Sequence, residues 1–375
     1  MGKWDMIAFE DMFVDETKYG RKIPKEAYQK DGTYPIIDQG QEYIAGYTDN
    51  DTGLYSNIPA IIFGDHTRAI KYVNFPFFLG ADGVKLLKSK VVDVDYRFLY
   101  YCLKSARIPD TGYNRHFKWL KELRIPLPPL PIQQKIADIL DRAGALIEKR
   151  KAQIEKLDLL IKSQFIEMFG DPVTNPMGWD VKRLREVFKV RSSKRVYQSE
   201  QTNYGVPFLR VSDLTNRIND GVDSCNLFMA EELYEAYEKA GNVPKADDIL
   251  VTSRGTLGLC YIVRNTDKFY FQDGMISWLS KHRVEVSSNY IKYLFCADDI
   301  KRQIERASAG STVGYLSLAN LENLNVMFPP LALQTQFAAF IERVEAQKAK
   351  MKQGLELMEL ENKSLMQKCF SGEMF

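Results

Sequence analysis

Two stretches of the chain repeat an apolar residue every seven positions. In the first, Leu140, Ile147, Ile154, Ile161 and Met168 form one row, with Ile136, Ala143 and Leu157 in a neighbouring row. In the second, Phe337, Val344, Met351, Met358 and Leu365 form the row, with Ile341 and Leu355 beside it. Lys, Glu, Gln and Arg fill the positions between. Such a repeat keeps one seam turned toward a partner helix, so the spacing predicts coiled-coil helices. Prolines stand immediately before both stretches (Pro128-Pro129 and Pro329-Pro330). Proline lacks an N–H and restricts the residue before it, so it stops whatever precedes. Gly170-Asp171-Pro172 supplies the opposite signal, a helix stop. A helix from Gln133 to Phe169 would be roughly 55 Å long at 1.5 Å per residue, too long for one small domain to cover. The simplest partner for each helix is the other, and a compact arrangement runs them antiparallel with a globule at each end. Two amphipathic helices lying on ordinary domains are the plainer alternative, although surface helices are usually nearer three turns long.

The segments around these helices mix strand-like and helix-like patterns, and the mixture comes twice. Trp4-Asp5-Met6 opens a run ending at Phe13, and Trp179-Asp180-Val181 opens a similar run ending at Phe188, an offset of 179 − 4 = 175. Ile58–Phe63 followed by Gly64-Asp65 reads as a buried strand and turn, with Asp248–Ser253 and Arg254-Gly255 as its counterpart. Ala81-Asp82-Gly83-Val84 resembles Gln272-Asp273-Gly274-Met275. Tyr96–Tyr101 and Tyr290–Phe295 read as short helices whose rings belong to a core. Ile125–Leu130 matches Val326–Leu331 and Gln133 matches Gln334, now at an offset of 329 − 128 = 201. The offset grows as it would if the second copy carried insertions. The expected fold is α+β: two tandem domains of mixed α/β structure at 1–128 and 171–328, separated by two long helices at 129–170 and 329–375 that form an antiparallel coiled coil, with a pseudo-two-fold internal repeat.

At 45% hydrophobic and 12% aromatic, the 375 residues can bury real cores, which excludes wholesale disorder. Lys+Arg at 51 against Asp+Glu at 49 leaves a charge of +2, so any anion-binding role must rest on local clusters. Five cysteines without a C-x-x-C pair fit neither a disulfide framework nor a structural zinc site. The start lacks a signal-peptide core, and no stretch is long and apolar enough to span a membrane, so a cytoplasmic protein is expected. His66, His116 and His282 are too scattered to suggest a metal, and no catalytic residues or cofactor are expected in this chain.

Basic clusters do occur, at corresponding places in the two copies. Lys18, Arg21, Lys22 and Lys25 follow the opening run of the first copy, and Arg191, Lys194 and Arg195 that of the second. His66 and Arg68 follow the first buried strand, while Arg254 and Thr256 follow the second. Before the prolines lie Tyr113, Asn114, Arg115, His116, Phe117 and Lys118 in one copy and the Gly310–Tyr315 loop, with Ser311, Thr312 and Tyr315, in the other. Hydroxyls and cations hold phosphates, whereas Arg and Asn read base edges. Each cluster alone reads as ordinary solvated surface; their repetition favours a nucleic-acid face.

Pro128–Ile136 and Pro329–Gln334 resemble the proline, leucine and glutamine motif that opens each conserved helix in the specificity subunits of type I restriction–modification enzymes. Val206–Leu214, which contains Arg210, and Arg254–Gly258 resemble pieces of that family's target-recognition domains. The resemblance implies a non-catalytic subunit whose two target-recognition domains each read half of an interrupted site in double-stranded DNA. It further implies docking of two methyltransferase subunits, which themselves bind S-adenosylmethionine, and of restriction (translocase) subunits. Two alternatives remain open. A self-contained DNA adenine methyltransferase needs a glycine-rich cofactor loop and a clamp for the flipped base; Asn74-Phe75-Pro76-Phe77 lacks the paired prolines of such a clamp. A coiled-coil scaffold without a DNA role leaves the repeated basic loops unexplained.

Overall fold

The computed structural model describes residues 4–80, 83–112, 114–223, 225–308 and 314–375, with only the backbone at 281 and 282. Both heptad stretches are single helices, Leu130–Phe169 and Leu331–Ser371. Pro131 stands in the first turn of the first helix, where a missing N–H costs nothing because those amides have no intrahelical acceptor. The helix stops at Gly170, whose φ of +78° suits a residue without Cβ. The Trp179 indole N–H then donates to the Phe169 carbonyl at 2.9 Å.

The chain packs as two units, residues 1–153 with 351–375, and residues 154–350. In the first, a four-stranded antiparallel sheet runs in the order Phe13–Asp15, Val84–Ser89, Ala60–Gly64, Ile70–Val73. In the second, the order is Phe188–Ser192, Ile276–His282, Ile249–Thr252, Cys260–Ile262. Ala60–Gly64 and Ile249–Thr252 are buried at every position, as short apolar runs bounded by turns imply. A smaller sheet accompanies each, containing one parallel pair: Tyr34–Ile37 with Phe78–Leu79, and Val206–Leu209 with Tyr270–Phe271. Helices Tyr96–Ser105 and Ser288–Phe295 complete the shared plan. Val211–Asp220, Glu231–Lys239 and Asp298–Ser308 are helices with no counterpart among the described residues of the first copy. These insertions account for the growing offset. One correspondence shifts by a residue. Asp65 N–H donates to the Gly83 carbonyl and Ser253 N–H to that of Met275, so Gly83 matches Met275 rather than Gly274.

One device pins both long helices. The buried Gln133 side chain accepts from Asp95 N–H at 3.0 Å and donates to the Pro128 carbonyl at 2.8 Å. Gln334 accepts from Ser287 N–H at 2.9 Å and donates to the Pro329 carbonyl at 2.8 Å. Asp95 and Ser287 are the N-caps of the two short helices. A single amide therefore ties the proline turn to a helix start on one side and to the first turn of the long helix on the other.

Along the seam, Leu140, Ile147, Ile154, Ile161, Phe337 and Val344 are buried, while Met351, Met358 and Leu365 are half-buried. In the first unit, Ile136, Ala137 and Leu140 share a core with Met366 and Cys369, and Lys151 pairs with Glu359 at 3.4 Å. In the second, Ile161, Phe165 and Phe169 share a core with Phe337, Ile341 and Val344, and Asp158 pairs with Lys348. Within each unit the two helical segments thus run in opposite directions. Among the described residues, no helix is long and apolar enough to cross a membrane, and no cluster of three or more His, Cys, Asp or Glu side chains could hold a metal.

Candidate nucleic-acid interface

In each copy the buried central strand ends in a junction that gathers the basic loops. In the first, Asp65 follows the strand and is itself buried. Its N–H donates to the Gly83 carbonyl at 2.7 Å, and its carbonyl accepts from His116 N–H at 2.8 Å. Its carboxylate accepts from Phe117 N–H at 2.7 Å, at the start of the short helix Phe117–Lys121. In the second copy the same junction is made by Ser253, which donates to the Met275 carbonyl at 2.9 Å and accepts from Leu316 N–H at 3.0 Å. Asp65 therefore matches Ser253, His66 matches Arg254, and Arg115 matches Tyr315.

The cation changes sides between the copies. Arg254 is exposed, pairs through its backbone with Tyr315, and holds its guanidinium 5.8 Å from that ring. Thr256 is exposed in the turn that follows, which closes through the Thr252 hydroxyl donating to the Thr256 carbonyl at 2.5 Å. Gly258 ends the turn at φ +80°, where a Cβ would lie 2.7 Å from Ile304. In the first copy the cation is Arg115, exposed on the other loop. It lines a pocket of about 290 Å3 together with Lys22, His66, Lys85, Thr17 and Asp65. Asn114 and Lys118 are exposed beside it, and the Asn114 carbonyl lies 3.3 Å from His66 Nδ1.

Several other sequence candidates have partners within the protein. His116 is fully buried, with Nδ1 3.0 Å from the Asp65 carbonyl and Nε2 3.3 Å from the Thr111 hydroxyl, so it pins the loop rather than facing a ligand. Arg68 pairs with Asp110 at 2.6 Å and acts as a strut. The Gly112 N–H and the Arg68 guanidinium together hold the Asp110 carboxyl below its usual range. Arg21 donates to the Thr52 carbonyl at 2.6 Å. Arg191 lies 4.2 Å over the Trp278 ring and donates to Asn242. Arg195 pairs with Asp273 at 2.9 Å, which keeps its guanidinium even more firmly charged than usual. Arg210 pairs with Asp213 at 3.3 Å at the start of an insertion helix. Lys18 and Lys194 are exposed, 4.7 Å over Tyr19 and 4.9 Å over Tyr237. Among the described residues, Lys18, Arg115, Lys118, Lys194 and Arg254 have no ion pair, and Tyr113, Ser311 and Thr312 lie outside the described residues.

Lys85 is absent from the sequence-based set yet lines the same pocket as Arg115. It pairs with Asp15 at 2.9 Å and sits 4.9 Å over Phe117. Burial would raise the Asp15 carboxyl, but hydrogen bonds from Thr17 and Lys85 outweigh it and bring it down. The available signal was a lysine set between the apolar Val84 and Leu86, soon after Gly83.

The family described as the type I restriction modification DNA specificity domain matches residues 1–156 and 176–361. A Haemophilus influenzae protein provisionally named a type I restriction enzyme specificity subunit is 23% identical over 353 residues, covering 90% of this chain and 86% of its own. The Escherichia coli EcoR124I/EcoR124II specificity subunit is 30% identical over 165 residues, 40% of each chain. The solved S subunit of a type I restriction–modification system from M. genitalium superposes with a TM-score of 0.59 at 19% identity, covering 98% of this chain and 96% of the other.

Proposed function

The chain belongs to the type I restriction–modification DNA specificity family, and we propose that each of its two copies reads one half of an interrupted site in double-stranded DNA. It is the specificity subunit of such a system. The observation that carries the finer reading is the repeated junction, which presents one exposed, unpaired guanidinium in each copy: Arg115 beside Asp65 and Arg254 beside Ser253. An arginine on a loop anchored at this junction can meet guanine O6 and N7 in the major groove with little ordering cost, while Lys18, Lys22, Lys118 and Lys194 hold phosphates. Asn114 and Thr256 are the neighbouring polar groups for base edges. This subunit carries no chemistry in the proposal; methylation belongs to partner methyltransferase subunits and cleavage to restriction subunits.

The long helices are the proposed docking surface for those subunits. Their exposed large apolar side chains are aliphatic: Leu146, Leu159, Leu160 and Ile166 on the first and Leu331, Leu357 and Leu360 on the second. Aliphatic side chains left in water on a helix already buried on its seam suit a protein partner. Leu159→Asp with Leu160→Asp should abolish co-purification of the methyltransferase subunits while leaving the melting temperature of the isolated chain unchanged. Undiminished co-purification would remove this face from the docking surface.

A further inference from the structure

Among the described residues the exposed aromatic rings are tyrosines, with Tyr19 4.7 Å from the Lys18 ammonium and Tyr315 5.8 Å from the Arg254 guanidinium. Among the described residues, the strongly exposed rings are Tyr19, Tyr43, Tyr197, Tyr204 and Tyr315; Tyr19 is 63% exposed, Tyr197 62% and Tyr204 81%. None lies on the long helices, whose exposed apolar residues are aliphatic. Scattered exposed apolar residues are ordinary, but these are sorted by chemistry and by place.

Tyr19 and Tyr197 lie on loops that anchor to matching strand residues in the two copies. In the first, Ile23 N–H donates to the carbonyl of Leu79, in the shorter strand of the parallel pair. In the second, the Ser193 hydroxyl donates to the carbonyl of Phe271, the matching strand residue. Ile23 and Val196 are both buried and both follow a base, Lys22 and Arg195. Tyr19 lies earlier in the same loop, ahead of Gly20 and Arg21, in a 3-10 turn with the Lys18 ammonium 4.7 Å from its ring. Tyr197 directly follows Val196, its N–H donating to Glu200 at 2.8 Å. Both backbones are therefore held while the rings reach into solvent. An aromatic ring fixed beside a phosphate-binding cation can pack on sugars and on base faces wherever the duplex opens or bends.

We propose that Tyr19 in the first half-site and Tyr197 in the second pack their rings against the DNA beside the phosphates held by the basic residues of the same loops. They supply the part of the affinity that salt does not screen. The inference rests on the DNA-reading function above. It also divides labour within each loop, with lysines setting the salt dependence and tyrosines setting affinity at any salt.

The test uses the assembled specificity–methyltransferase complex and a duplex carrying its methylated motif, titrated across a salt series. Tyr19→Ala with Tyr197→Ala should weaken binding about tenfold at every salt concentration, a modest share of the stacking range. The slope of log K against log salt should stay parallel to that of the parent, and the melting temperature should not change. Tyr→Phe at both positions should restore the affinity, because the ring and not the hydroxyl meets the DNA. Lys18→Gln with Lys194→Gln should instead flatten the slope by about 0.9 for each phosphate no longer neutralised. Unchanged affinity of the alanine pair, or a change confined to the slope, would overturn the tyrosine assignment and leave DNA reading intact. A parent complex without preference for any DNA would overturn both.

Discussion

In both copies the short helix packs its apolar face on the long-helix segments, but the first copy adds a charge cluster at Tyr96–Ser105 and the second adds a cluster of rings. Arg97 reaches Asp138 at 2.9 Å and Asp141 at 2.8 Å on the long helix, as well as Asp95 at 3.0 Å, and the Tyr101 hydroxyl donates to Asp141 at 2.7 Å. Burial works against the Arg97 charge, but its carboxylate partners more than compensate. In the second copy Tyr290 stacks on Phe165 at 5.8 Å, Phe169 meets Phe337 edge-on at 5.3 Å, and Tyr293 meets Phe337 at 5.7 Å. The backbone plan, with its glutamine pin, is common to both. What the comparison teaches is that the scaffold retains positions, not residues. The same exchange occurs at the proposed binding face, where Arg115 and Tyr315 occupy matching places while His66 and Arg254 occupy the other pair. A frame that tolerates such exchange can present different readers to DNA without being rebuilt.

The largest effect should come from the ring cluster. Phe337→Ala removes a fully buried ring and should cost about 3–5 kcal/mol, the usual range for emptying an aromatic site. Denaturant melts would register it, and a loss below that range would mean the cluster refills. The glutamine pins should behave alike in the two copies. Gln133→Ala and Gln334→Ala each strand a buried N–H and a carbonyl, which costs about 1–3 kcal/mol. Unequal losses would show that the shared geometry hides different energetics. At the binding face, Arg115→Ala and Arg254→Ala should each cost about 1–3 kcal/mol of DNA affinity and relax specificity at one position. If either cation meets only phosphate, its removal weakens all sequences together and flattens the salt slope. Arg97→Met should cost less than the ring deletion, about 1 kcal/mol or below, because Arg97 is a third exposed, Asp138 is half exposed, and salt screens the pair. Its cost should shrink in high salt while that of Phe337→Ala does not. Smallest of all, Asp15→Asn frees Lys85 within the Arg115 pocket and should steepen the salt slope by less than about one unit.

Much of this plan was legible because it rests on periodicity and repetition. Seven-residue spacing identifies both long helices, and the apolar runs within 58–63 and 249–251 identify the central strands. The matching prolines and glutamines locate the pins, although nothing in sequence alone could say that Gln133 and Gln334 reach back to the N-caps at Asp95 and Ser287. The site is harder to read. His116 has the look of a ligand-facing group among cations, but one hydrogen bond from its backbone and another from its ring bury it on Asp65. Arg68, Arg191 and Arg195 look free in sequence, yet each finds a carboxylate, amide or ring far along the chain. Lys85 and the exposed tyrosines do not stand out in sequence because strand position and solvent exposure are settled by tertiary packing. The one-residue slip between Gly83 and Gly274 has a similar cause, since strand register is set by cross-strand pairing and not by likeness of the turn residues.

The most direct test of the central claim is to map methylated adenines in cells carrying this subunit with its methyltransferase, comparing the parent with Arg115→Ala and Arg254→Ala. The account predicts a two-part motif in the parent, with one variant relaxing bases in one half only and the other relaxing bases in the other half only. Both variants altering the same half, or a parent motif without two parts, would contradict it.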